Sequence, residues 1–265
     1  MKNGSENFLK NYNPDSYFKE LKRNNRSEYS DKEKIISHKL SPEFLESEAD
    51  FTRSLFKKLI KGYNLINDIE NWAFLDQSGK EVFLKNFIKN ISEASNLKYD
   101  IHIEFSTDGK GIYHQSMLDT HFLFLPKDLN AFKSPEVLIS ALAHEILGHG
   151  RGYEKYSSMV GTEEDKNAIR LQNMPYSKYY IQANEDINLY KSQPSEVHAR
   201  HVQKVFIEEL IKLKPDLEGL QQEYKRLSEN KLLNEIKTEN TLTNIVDGGT
   251  TKDKLLFDLP KFLEK

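Results

Sequence analysis

Apolar residues recur along this chain with changing period, and the changes mark its elements. From Ser41-Pro42-Glu43 onward, Phe44, Phe51, Leu55, Leu59 and Ile60 fall at helical spacing, with Ser41 suited to the N-cap and Pro42 to the first helical position. Val82, Phe83, Phe87, Ile88 and Ile91 predict a second helix over Glu81–Ala94. Between Lys98 and Ser106 the period drops to two. There Tyr99, Ile101, Ile103 and Phe105 alternate with Asp100, His102 and Glu104, the pattern of a half-buried strand. Asp108-Gly109-Lys110-Gly111 reads as a turn, and His121–Leu125 as a second strand closed by Pro126. Ser134-Pro135-Glu136 repeats the helix-start signature. The segment behind it, Val137–Leu147, is apolar on nearly every side except at His144 and Glu145, which predicts a central, buried helix.

Beyond Gly150 the pattern gives a polar loop and then helices over Ser177–Tyr190, Ser195–Leu213 and Asp216–Lys237. Residues 1–40 are poor in apolar side chains and read as a flexible polar arm. Residues 41–97 form a helical N-terminal region, 98–240 the core, and 241–265 a peripheral tail with a turn at Asp247-Gly248-Gly249. The fold class this implies is α+β, mostly helical around a small mixed sheet, with the segment at His144 in the middle.

Composition narrows the chemistry. The 265 residues carry 38 basic and 41 acidic side chains, a net charge of -3, so nothing favours nucleic acid or an anionic membrane as partner. There is no cysteine, which removes disulfides, thiolate metal sites and a Cys nucleophile. Met1–Asn13 lacks the apolar run of a signal peptide, and no stretch reaches the roughly 20 apolar residues of a membrane span. The expectation is a protein that works in the cytoplasm or is delivered by a route without a cleavable signal.

Two histidines and a glutamate in an apolar helix need partners, because burying them alone costs several kcal/mol. A metal supplies one. In the usual His-Glu-x-x-His arrangement two imidazoles four residues apart bind zinc, and the Glu activates water. Here the run is His144-Glu145-Ile146-Leu147-Gly148-His149, one residue longer. At about 100° per residue a five-residue step turns the side chains roughly 140° apart on a regular helix. The two histidines can share an ion only if the extra residue is absorbed as a π-bulge or the helix loosens at Gly148.

This run resembles the His-Glu-x-x-Gly-His motif of the dipeptidyl peptidase III family of zincins. The resemblance implies a third zinc ligand, a Glu on a later helix some fifty residues on, which points to Glu196, 47 residues after His149. Tyr190 and Pro194-Ser195-Glu196-Val197-His198-Ala199-Arg200 also resemble the third-ligand segment of metallopeptidase domains in phage and mobile-element proteins. As in zincins generally, the strand ending near Leu125 would be the edge strand that binds substrate backbone. The resemblance covers about Ile101 to Gln203 and does not carry exopeptidase specificity with it.

Glu185, Asp186, His198 and His201 compete as third ligand, and the plainer reading of Glu196 is a surface pair with Arg200. Tyr190 and His198 are the candidates for stabilising an oxyanion, and Arg200 for orienting Glu196. His102, His114 and His121 sit near strands with no metal spacing, and His38 lies in the polar arm. The function these readings converge on is a zinc peptidase acting on a protein or peptide substrate. Metal is held by His144, His149 and Glu196, and Glu145 is the general base. The alternatives are an inactive zincin-like binding module and the same chemistry deployed as a secreted effector.

Overall fold

A computed structural model describes residues 32–228, apart from 33, 107–111, 118 and 133. Most of the polar arm, the end of the helix expected to run to Lys237 and the whole tail lie outside the described residues. Helix α1 (Pro42–Gly62) begins where expected, with the Ser41 hydroxyl accepting from the Phe44 amide. Then come α2 (Leu65–Asn71), a 3-10 turn at Trp72–Phe74, and α3 (Gln77–Ala94). Helix α3 starts four residues before Glu81 because the Asp76 side chain caps Gly79.

Strands β1 (Asp100–Ser106), β2 (Tyr113–Met117) and β3 (Thr120–Pro126) form a mixed sheet ordered β1-β3-β2. β1 runs parallel to β3 with Asp100 opposite Thr120, and β2 runs antiparallel to it with Ser116 opposite His121. The strand ending near Leu125 is therefore central and not an edge, which corrects the sequence reading. The edge nearest the histidine segment is β2, which the pattern did not reveal. Its inward residues, His114 and Ser116, are polar and meet His121, so no apolar alternation marks it.

Helix α4 (Pro135–Ala143) continues into a π-helix (His144–Gly150) and then α5 (Arg151–Glu154). The expected polar loop holds α6 (Glu163–Asn173), started by a Thr162/Asp165 capping box. The helix expected over Ser177–Tyr190 is absent up to Asp186, and only α7 (Ile187–Ser192) forms. Both Ile181 backbone groups are instead taken by the Gln193 amide, at 2.9 and 3.0 Å. Helix α8 (Pro194–Leu213) runs through the centre, and α9 (Glu218–Ser228) packs on it.

One hydrophobic core extends from Leu55 to Leu227 and includes Phe87, Ile139, Leu142 and Phe206. It joins the N-terminal helices to the segment carrying the site. Residues just before α1 are docked as well. Ile36 and Leu40 are buried, and His38, expected in solvent, places Nε2 2.7 Å from Asp165 Oδ1. The molecule is α+β, mostly helical, with a small mixed sheet.

Candidate metal centre

The extra residue between the histidines is absorbed as a π-helix spanning the whole motif, whose i→i+5 turns bring His144 and His149 back to one side. Their ring centroids are 5.1 Å apart. Gly148 is required by its neighbour: a Cβ there would sit 2.3 Å from the Ala199 Cβ and 2.5 Å from the Ala199 Cα. That close approach lets α8 bring Glu196 between the imidazoles. Glu196 Oε1 is 3.2 Å from His149 Nε2, and Oε2 is 3.8 Å from His144 Nε2. One ligand atom from each of His144, His149 and Glu196 falls within 4.8 Å of the other two, and all three residues are buried.

The surroundings hold these side chains in place. Asn173, at the end of α6, presents Oδ1 2.8 Å from His149 Nδ1 and is itself anchored by its amide to the Ile169 carbonyl. The Tyr180 hydroxyl donates to Glu196 Oε1 at 2.6 Å, and Arg200 Nη2 donates to Oε2 at 3.2 Å. Glu196 is thus no surface residue. Burial opposes its charge, but His149, Arg200 and His144 outweigh that and hold its carboxyl well below the usual range. Burial also opposes a proton on His149, yet Glu196, Glu145 and Asn173 raise it to about 9. Burial pushes His144 down to about 3. Both His144 ring nitrogens are buried with no hydrogen-bond partner among the described residues, a costly state for a polar group unless something binds it. Two imidazoles and one carboxylate with an orphaned imidazole nitrogen fit a divalent metal ion.

Glu145 lies beside this group and is not one of its three members. Burial pushes its carboxyl up to about 8, with the His149 charge and the backbone N–H of His114 on β2 pulling the other way.

The chain matches no protein-family model, no curated protein and no solved structure. The site therefore stands on its own geometry.

The remaining candidates are spread more widely. Tyr190 is buried against Tyr180, ring centroids 6.1 Å apart, with the Arg200 guanidinium 5.5 Å from its ring; it backs the residue that touches Glu196. His198 is not brought to the cluster. Its Nε2 meets Glu48 Oε2 at 2.9 Å, and its ring packs edge-on against Phe44. This corrects the expectation that it faces an oxyanion. Among the rival third ligands, His201 donates to the Leu45 carbonyl, Asp186 caps α7, and Glu185 accepts from the Gln182 amide.

Sequence reasoning missed Asn173, Tyr180, Glu48 and Arg151. Asn173 was within reach, because Thr162-x-x-Asp165 is a helix-start signature that extrapolates to it. Tyr180 sits in irregular backbone and has no such signal. No helix among the described residues is long and apolar enough to cross a membrane.

Proposed function

We propose that this chain is a zinc-dependent peptidase, with His144, His149 and Glu196 as ligands and Glu145 as general base. The observation that carries the reading is the buried convergence of the three ligand atoms beside a carboxyl that is not needed to hold the ion. A purely structural site needs closed coordination and no adjacent base, whereas hydrolytic zinc is held by three protein ligands. When bound, zinc supplies the Lewis acidity that activates water and polarises a peptide carbonyl.

Glu145 takes the proton from the attacking water and passes it to the departing amine. Tyr180 and Arg200 keep Glu196 ionised and oriented, and Asn173 fixes the tautomer of His149 so that Nε2 faces the ligands. Among the described residues β2 pairs only with β3, and its His114 amide reaches Glu145. An extended peptide added along β2 would therefore carry its backbone past the base.

Elemental analysis of the purified protein tests the site: one equivalent of zinc in the wild type, lost in His149→Ala and Glu196→Ala proteins that remain folded by circular dichroism. Incubation with a peptide library then tests the chemistry. Cleavage by wild type and none by zinc-loaded Glu145→Gln supports the peptidase; no zinc after reconstitution sinks it.

A further inference from the structure

The groups that hold the ligands do not explain a second buried ionic cluster on the far side of the same two segments. Glu48, on the inner face of α1, receives Arg151 Nη1 and His198 Nε2 on a single oxygen, Oε2. All three residues are nearly inaccessible to solvent. The Arg151 guanidinium carbon lies over the Phe51 ring, 3.7 Å from its centroid, so its position is fixed from two directions. Arg151 is the first residue after the π-helix and stands two residues beyond His149; His198 stands two residues beyond Glu196. One carboxylate thereby ties together the two segments whose spacing defines the metal group.

A π-helix closes each hydrogen-bonded turn with one residue more than an α-helix and is rarely stable on its own. If the motif relaxed to α-helical geometry, every residue past the insertion would rotate by about 100°. His149 would leave Glu196, and Arg151 would leave Glu48 and Phe51. The Glu48 contact thus exists only in the register that aligns the histidines. We infer that Glu48 is a positioning residue for the metal centre, fixing the π-register of its helix through Arg151 and the placement of α8 through His198. The inference rests on the metal-site reading proposed above.

The test is titration of the metal-free protein with zinc and with cobalt(II), whose visible spectrum reports ligand geometry. Wild type is compared with Glu48→Gln, with Glu48→Gln/Arg151→Gln, which removes the carboxylate and the guanidinium of the buried pair together, and with Trp72→Phe as a core control away from the site. The expected result is zinc affinity weakened about 10- to 100-fold with an altered cobalt spectrum in both Glu48 variants. Trp72→Phe, though less stable, keeps wild-type affinity and spectrum. If the single variant fails to fold, the double variant decides. Wild-type affinity and spectrum in a folded Glu48 variant overturn the positioning role while leaving the metal site standing. No zinc or cobalt bound by wild type overturns both readings.

Discussion

Gly148 shows how much of the site depends on a missing side chain. With a Cβ placed 2.5 Å from the Ala199 Cα as well as 2.3 Å from its Cβ, the contact is between backbones and no rotamer change relieves it. Gly148→Ala should cost about 1–3 kcal/mol as overpacking and weaken metal binding at least tenfold, read by denaturant unfolding and zinc titration. Adding Ala199→Gly should restore only part of the loss, since the Cα remains in the way; full recovery would show that the contact is softer than this. Protons mark the same group. In the metal-free protein His149 is raised to about 9 and Glu145 to about 8, so at pH 7 both positions hold protons. Ligation needs a neutral imidazole, and the incoming dication pulls the Glu145 carboxyl back towards ionisation. Roughly one to two protons per zinc ion should be released at pH 7, measurable by calorimetry in buffers of different ionisation enthalpy. Affinity should climb with pH up to about 9. Binding without proton release would contradict the assignment.

At the scale of elements, α6 links the residues just before α1 to the candidate metal ligands. Asp165 accepts from the Thr162 amide, from the Ser41 amide and hydroxyl, and from His38, while the other end of the helix presents Asn173 to His149. Asp165→Ala removes a cap and several hydrogen bonds to a buried carboxylate, so a loss of about 2–4 kcal/mol is expected in chemical denaturation. A loss below about 0.5 kcal/mol would mean that the segment before α1 is not held through this residue. What the sequence made legible divides along physical lines. The start of α1, with its Ser41 cap, and the span of α8, with its apolar stripe, were readable to within a residue, and the one-residue excess between the histidines already required either a π-bulge or a loosened helix at Gly148. β2 was not readable, because its core-facing positions are His114 and Ser116, which satisfy His121 and so break the apolar period. The segment before α7 was misread as helix because its side chains suit one, and only the distant Gln193 amide decides otherwise.

Across the whole molecule, α1 is built into the core and its seam with α8 is the acid-sensitive joint. Burial pushes His201 on α8 down to about 4, partly offset by its hydrogen bond to the Leu45 carbonyl. Its folded value lies below that of the unfolded chain, near 6.5, so its contribution is complete above about pH 6.5 and is lost as pH falls through 4. The carboxyl of Glu48, on the same seam, is held down to about 2; burial opposes this and His198 and Arg151 outweigh it. Its contribution is present above about 4.5 and lost only in stronger acid. Thermal unfolding of the metal-free protein and of His201→Gln should therefore converge as pH is lowered from 6.5 to 4, because only in the wild type does the unfolded chain take up a proton at position 201 that the folded protein refuses. A constant gap over that range would exclude His201 as the source.

The metal group and its supports come from distant points in the chain: Glu48 on α1, the histidines on the π-helix, Asn173 on α6, Tyr180 in irregular backbone, and Glu196 and Arg200 on α8. During synthesis the first two ligands leave the ribosome well before the third, and no partial chain ending before α8 contains a complete set. Metal capture by the proposed centre would thus be a late event in the life of each molecule, and a nascent or truncated copy would carry the motif without the complete ligand set.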